Sequence, residues 1–518
     1  MKRRQFLQTG SVMSLPVFLG GLEVAAISQS SLFNFISNDD DRVLVLVQLN
    51  GGNDGLNMVI PLDQYSGLSA VRPGLLIPES SVLKMTDKTG LHPSMTGLHQ
   101  LYQEGKLAVV QSVGYPNQNR SHFRSTDIWT SASDANKYER TGWVGRYLDQ
   151  KYPGFPDAYP NADHPDPFAI TLGNTVNETC QGPATNFSFA LVNQTGVSLV
   201  EETVAAPVDG SCYSSEVDYI RKTIKQSNDY ATTVLKAFGK GKNIATYPAA
   251  NANRLADQLK IVAQLISGGL RTKIYVVNLG GFDTHANQVQ IGESEIGTHA
   301  TLLKNVSDAI NVFMSDCKAL GIHERVVGMT FSEFGRQIKA NNSFGTDHGT
   351  AAPLMVFGDC VNQAVFGKNP EITTDVAPQE GVPMQHDFRS VYASILIDWM
   401  GASESDVRSL LFNDFQKIPF IKNCSIPSSV DEQDLILETK LHPNPCTEYT
   451  TLQFESRGAH THVMVLNALG AQMDILVQKT LSQGAHEINI PMSHYAPGTY
   501  FVRVTSGDKI STAKVVKM

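Results

Sequence analysis

Residues 325–350 read RVVGMTFSEFGRQIKANNSFGTDHGT. The short apolar run of Val326, Val327, Met329 and Phe331 has the length of a buried strand. It stops abruptly at polar residues, first Glu333 and then Asp347-His348-Gly349. In an open α/β sheet, ligand sites form outside the carboxyl ends of the strands, where successive loops converge. Three other stretches share this grammar. VLVLVQ at 43–48 runs into Leu49-Asn50-Gly51-Gly52-Asn53-Asp54-Gly55, and KIYVVNL at 273–279 runs into Gly280-Gly281-Phe282-Asp283-Thr284-His285. LAVVQSV at 107–113 leads to Arg120-Ser121-His122-Phe123-Arg124, with Ser121 placed as the N-cap of a following helix.

Between these strands lie helical patterns near 94–104, 121–131, 143–150, 216–238, 251–267, 298–320 and 388–400, with further strands at 168–172 and 354–357. Strands alternating with helices predict an α/β fold, a mostly parallel doubly wound sheet with crossovers on both faces. Beyond 418–437, which reads as a linker, the helical signal ends. Short alternating strands at 450–454, 462–466, 486–490 and 500–504, separated by Gly- and Pro-containing turns, predict a small all-β sandwich over 438–518. The resulting division is an export signal at 1–27, a linker at 28–41, the α/β domain at 42–417, a linker at 418–437 and the sandwich.

The start of the chain, Lys2-Arg3-Arg4-Gln5-Phe6-Leu7 followed by the apolar stretch 11–26, has the pattern of a twin-arginine export signal. Pro16, Gly20, Gly21 and Glu23 break it too often for a membrane span. A net charge of -9, with no basic stripe interleaved with aromatics, argues against nucleic acid as a partner. Six cysteines in an exported chain could form disulfides, and Cys180 with Cys212 is the first pair expected; buried free thiols are the alternative.

Asp54, Asp283, His285, Glu333, Asp347 and His348 all follow predicted strands and all carry oxygen or imidazole donors. Such a mixed set suits zinc, manganese or iron, with calcium or magnesium where carboxylates dominate. In extended chain, Asp283 and His285 aim the same way across Thr284. Gly345 and Gly349 allow a turn that brings Asp347 and His348 to one ion. Ordinary readings stand beside these: Asp54 in an Asn-Asp-Gly turn, Glu333 paired with Arg336, His299 and His323 as surface or capping residues. Ser121 is the candidate nucleophile, with a plain N-cap as its alternative. Arg120, His122 and Arg124 beside it would then hold phosphate or sulfate oxygens.

The order Asp54, Ser121, Asp283-Thr284-His285, Asp347-His348 is similar to the metal-site order of the alkaline phosphatase and sulfatase superfamily. More closely, NGGNDGLN, RSHF, GGFDTHANQ, SEFGR and TDHGT resemble an uncharacterised, often twin-arginine-exported family grouped with those enzymes. The resemblance implies one metal held by Asp54, Asp347 and His348 next to Ser121, and a second held by Asp283 and His285. His386, ahead of the 388–400 helix, stands where a distal histidine is expected, though the superfamily commonly spaces its second Asp and His four apart, not two. No Cys-x-Pro-x-Arg sequence is present, so the formylglycine nucleophile of ordinary sulfatases is not implied. The tail resembles the type A sorting domain of the type IX secretion system, on the strength of His442-Pro443-Asn444-Pro445, Val465-Leu466-Asn467-Ala468-Leu469-Gly470, Gly498-Thr499-Tyr500-Phe501-Val502 and the basic end 514–518. Together these imply a hydrolase of phosphate or sulfate esters with one or two divalent ions (zinc, manganese, calcium or magnesium). Its partners would be the twin-arginine translocase, the type IX machinery and an anionic ester. It would pass through the periplasm to the cell surface or the medium. The alternative is a surface protein that keeps the fold and binds glycans or partners without turnover.

Overall fold

The computed structural model of the protein describes residues 16–19, 22–25, 41–192, 212–422, 424, 439–467, 472–506 and 509–518. Of the expected export signal, residues 16–19 and 22–25 form an antiparallel pair, and the basic start lies outside the described residues. By its contacts the chain divides into one unit of 42–426 and another that holds 427–518 with 1–41.

The larger unit is built on a nine-stranded sheet. Its strands, in chain order, are β1 (Val43–Asn50), β2 (Leu107–Gly114), β3 (Ala169–Leu172), β4 (Ser188–Leu191), β5 (Ile274–Gly280), β6 (Val326–Phe331), β7 (Ala352–Phe357), β8 (Ala364–Phe366) and β9 (His386–Asp387). The order across the sheet is β8-β2-β7-β6-β1-β5-β3-β4, with β9 also pairing β2. Every pairing is parallel except those of β7, which runs antiparallel to both β6 and β2. The mostly parallel α/β sheet expected from the sequence is therefore present, with one reversed strand near its middle.

The central strands read as unbroken apolar runs because both of their faces are covered. In β1, Leu44 and Leu46 enter one core, whereas Val43, Val45 and Val47 enter the other. The first core packs against α2 (His122–Ser131), α3 (Trp143–Lys151) and α7 (Phe388–Ser394), and the second against α1 (Thr96–Gln103), α5 (Arg254–Ser267) and α6 (Thr298–Ala319). α4 (Cys212–Lys240) adds Val234, Ala237 and Phe238 to the second. α7 passes directly into a π-helical turn at Ile395–Trp399, where a single longer helix was expected.

Register explains where the loops emerge. Phe331 of β6 lies opposite Gln48 of β1, and Gly280 of β5 lies opposite Asn50, so the chain leaves these three neighbouring strands at one level. β7 is reversed, so the loop that precedes it, carrying Asp347 and His348, comes to the same edge of the sheet.

In the smaller unit, a three-stranded sheet and a four-stranded sheet share one core: Leu452, Phe454 and Ile490 from the first, Val463, Val465, Val502, Val504 and Val515 from the second. This is the expected sandwich. The disulfide of the described residues joins Cys360 to Cys424. Cys180 is a buried free thiol, which overturns the pairing expected from sequence. It lies in a stretch with a strong core, among Trp143, Phe155 and Phe187, and needs no staple there. Among the described residues no helix is long and apolar enough to cross a membrane.

Candidate metal centre

The site begins with a buried arginine. Arg336, in the loop after β6, is 1 % exposed. Its guanidinium donates to the carbonyls of Gly51, Gly52, Phe282 and Thr346 and, at 2.6 Å, to Asp283 Oδ1. One side chain thus ties the loops after β1, β5 and β6 together, using the planar fork that only arginine offers. The loops meet so closely that a Cβ on Gly51 would sit 2.4 Å from the Asp283 amide nitrogen, and Gly51 itself has φ +121°. Glycine is required there on both counts.

Upon this frame three imidazoles converge on one carboxylate oxygen. Asp283 Oδ1 lies 3.5 Å from His122 Nε2, 3.1 Å from His285 Nε2 and 3.2 Å from His348 Nε2. His122, Asp283 and His348 each offer a ligand atom within 4.8 Å of the others, a spacing that suits a metal ion. The opposite nitrogen of every ring is anchored. His122 Nδ1 is 2.7 Å from Glu333 Oε1, His285 Nδ1 is 2.7 Å from Asp347 Oδ1, and His348 Nδ1 is 2.8 Å from the Arg120 carbonyl. Burial pushes the Asp283 carboxyl up, but the Arg336 hydrogen bond and charge, with His285 and His348 beside it, outweigh this and hold it below its ordinary value. Burial lowers the His348 pKa, reinforced by the charge of Arg336 and opposed by the Arg120 carbonyl and Asp283. In Asp347, burial is outweighed by the contacts with His285 and Asn341, and the carboxyl is held low.

Several residues lie differently from the sequence reading. Asp54 is 1 % exposed and stands outside this group: its carboxylate accepts from Arg72 at 2.8 and 3.0 Å, from the Gln288 amide at 2.6 Å and from the Leu56 amide at 3.3 Å. Burial raises its pKa, yet Arg72, His299 and Gln288 together hold it low. Glu333 does not pair with Arg336. It holds His122 and the Gly51 amide instead, because the loop turns its carboxylate towards α2 while the guanidinium faces Asp283. Arg124 is consumed by Asp127, by the carbonyls of 134, 135 and 137 and by the Tyr138 ring. Arg120 donates to the Gln379 carbonyl. His386 sits in β9 against Val113, its Nε2 buried without a hydrogen-bond partner. His299 is 1 % exposed, not at the surface, and contacts Asn53 Oδ1 at 2.9 Å.

Ser121 is exposed at the N-cap of α2 and makes no capping hydrogen bond through its hydroxyl. Its neighbours in the chain are the Arg120 carbonyl that anchors His348 and the His122 ring itself. His122 as a donor to the group was missed; an imidazole just after a strand end was the available signal, and two flanking arginines had suggested an anion site. A polar cleft of about 910 Å³ opens beside the carboxyl ends of β1, β3 and β5, lined in part by Gln48, Asn50, Asn174, Arg254 and Asn278.

Residues 230–399, which run from the end of α4 through α7 and its π-helical turn, match the family described as Protein of unknown function (DUF1501). Similar solved structures include a protein of the alkaline phosphatase superfamily from Vibrio parahaemolyticus (11% identity, 91% of this chain and 78% of that one, TM-score 0.31). Two others are the phosphonate monoester hydrolase SpPMH from Silicibacter pomeroyi (10%, 92% and 89%, 0.31) and the PsFucS1 sulfatase from Pseudoalteromonas sp. (10%, 88% and 85%, 0.33). No curated protein matches the chain. Residues 440–518 match the secretion system C-terminal sorting domain, and the chain is accordingly one that is exported to the cell surface or beyond it.

Proposed function

We propose that the protein is an exported metal-dependent hydrolase of phosphate or sulfate esters. The observation that carries this reading is the convergence of His122, Asp283 and His348 at the carboxyl edge of the sheet, with Ser121 exposed beside them. His122, Asp283 and His348 would hold a divalent ion, which would supply positive charge to the ester oxygens and lower the pKa of a nearby hydroxyl. Ser121 is the nucleophile in this reading: its Oγ forms a bond to phosphorus or sulfur while the bond to the ester oxygen breaks, its proton ends on the departing alcohol, and water then hydrolyses the seryl ester, releasing the acid and restoring the hydroxyl. The N-terminus of α2 directs backbone amides towards that anion. The Arg124 side chain is engaged with the protein itself, whereas Arg120 gives a single hydrogen bond to the Gln379 carbonyl and can still turn towards the oxyanion beside these amides. The basic N-terminal start directs the chain to the twin-arginine translocase, and the sorting tail to the type IX machinery.

The test is turnover of aryl phosphate, phosphodiester and aryl sulfate by the purified chain with zinc, manganese, magnesium or calcium. Activity with at least one ester is expected, with a fall of 10²-fold or more, on the order expected for losing a nucleophile, in Ser121→Ala. A second reading, binding without turnover, is favoured by the amide-lined cleft, whose donors and acceptors suit hydroxyl-rich glycans. Saturable glycan affinity unchanged by Ser121→Ala, with no ester cleaved, would replace the first reading by the second.

A further inference from the structure

An apolar stripe turns to amides at the carboxyl edge of the sheet. On one face of β1, Leu44 and Leu46 give way to Gln48 and Asn50, and on the same face of β5, Ile274 and Val276 give way to Asn278. Asn278 lies opposite Gln48 in the register, so the amides stand side by side. Beyond Val276 and Thr171 the pairing of β5 with β3 stops, while β5 continues beside β1 to Gly280. The two strands part there, and the cleft of about 910 Å³ opens between them. Gln258 of α5 covers the edge of β5 that β3 leaves, accepting from the Asn278 amide at 3.0 Å and donating to its carbonyl at 2.8 Å.

That pair of bonds places Arg254. It precedes Gln258 by four residues, about 6 Å of helix, and the short connection from α5 to β5 makes the two elements antiparallel. Arg254 therefore stands towards the end of β5, where it is exposed and lines the cleft. Among the described residues no carboxylate pairs with it, and that of Asp257 accepts from the Asn251 amide instead. The cleft shares its walls with the site of hydrolysis. Asn50 accepts from the Phe282 amide at 3.1 Å through its carbonyl and is joined to Gly51, whose amide donates to Glu333. Asn177, also in the lining, caps the turn Glu178–Cys180, and that turn packs against α2.

Side-chain amides carry donors and acceptors together, the complement of hydroxyl groups. Val176, Val192 and Ile261 add aliphatic surface for the carbon face of a sugar ring. The lining has no aromatic ring, so nucleobases find no stacking platform. Ligand sites run to about 1,000 Å³, and this cleft, near that limit, suits a segment of a chain better than a small acid. The guanidinium in the amide wall selects a ligand with a negative group at that place.

We propose that the cleft is the carbohydrate subsite of the hydrolytic site and that the ester substrate is an anionic polysaccharide, with Arg254 holding a sulfate or carboxylate on the same chain as the ester that is cleaved. This rests on the hydrolase reading and narrows it to esters of sugars that bear a second negative group. Neutral glycans, for which the amides alone would serve, are the weaker ligands.

The full chain is titrated by calorimetry with chondroitin sulfate, alginate, dextran sulfate and unsubstituted dextran, at about 0.15 M salt, where exposed charges are screened beyond about 8 Å. At least one anionic polymer should bind saturably, about tenfold or more tighter than dextran. Arg254→Gln should lose that preference, on the order of tenfold for one charge-assisted hydrogen bond, and Arg254→Lys should recover part of it. Arg271→Gln, at an exposed arginine outside the cleft, should keep it. Both arginines are exposed, so neither change disturbs the core. The polymer that binds should also raise KM for an aryl ester, since the two occupy one continuous site. Equal affinity for all four polymers, the same loss in Arg271→Gln as in Arg254→Gln, or an aryl ester KM unmoved by saturating polymer would each overturn the proposal. A preference lost in Arg254→Gln, with no ester of any kind cleaved, would remove the hydrolase reading and leave the anionic cleft standing. Turnover of aryl esters with no polysaccharide bound would do the reverse.

Discussion

His92 and His299 lie under the loop that follows β1, 1% exposed each. Burial is the main reason that both resist protonation, His92 down to about 3 and His299 to about 4; the charge of His299 adds to it in His92, while in His299 Asp54 opposes it and Arg336 and Arg72 reinforce it. The ordinary imidazole value is near 6.5, so between there and these lower values the unfolded chain binds protons that the folded chain refuses. Stability from this source is complete above about pH 6.5 and falls as the pH drops towards 4, by about 1.4 kcal/mol per pH unit for each group. Denaturant titrations from pH 7 to 4.5 should show that decline, and His299→Gln should flatten it by about one proton. A slope unchanged in the variant would mean that His299 is not the group responsible. Neither burial was legible in the sequence: His299 opens α6, a position open to solvent in many helices, and only the fold sets it against Asn53.

The strands that carry the site were readable because they are apolar on both faces, as in VLVLVQ and KIYVVNL. Shorter strands such as β8 and β9 were not, since three and two residues show no period. Among the loops, the sequence indicated which donors follow strands but not which way they turn. The reversed β7 brings His348 to the edge of the sheet, and Arg72, distant from Asp54 in sequence by 18 residues, claims that carboxylate. Nothing periodic links Asp54 to Arg72, so chain pattern alone could not have separated a ligand from an ion-pair partner. Sequence spacing offers Arg336 as a partner for Glu333 beside the reading of Glu333 as a ligand, whereas Arg336 is the tie between three loops. Arg336→Lys keeps the charge but reaches fewer of the five acceptors, leaving buried carbonyls without donors. A loss of about 3 kcal/mol or more is expected in chemical denaturation, together with weaker zinc binding by calorimetry. Parent stability in that variant would show that the loops hold themselves.

At the level of the whole chain, the sandwich carries its own core, with Leu452, Val463, Val502 and Ile490 all fully buried within 439–518. Each unit therefore has the means to fold alone. Deleting residues 438–518 is expected to leave a soluble 42–426 unit that binds its ion and is retained in the periplasm, as read by cell fractionation and metal analysis. Truncated protein in the medium would contradict the sorting role of the tail, and insoluble protein would contradict the independence of the units. The Cys360–Cys424 bridge closes a span of 64 residues at the end of the larger unit. Oxidation of such a pair belongs to compartments outside the cytoplasm. Cys360 is 0% exposed in the finished fold. A chain that crosses the inner membrane already folded would bring this sulfur across shielded from oxidants, whereas one that folds afterwards would close the bridge on the way. The fraction of open thiols in newly exported protein is therefore a chemical record of the compartment in which the chain took its shape.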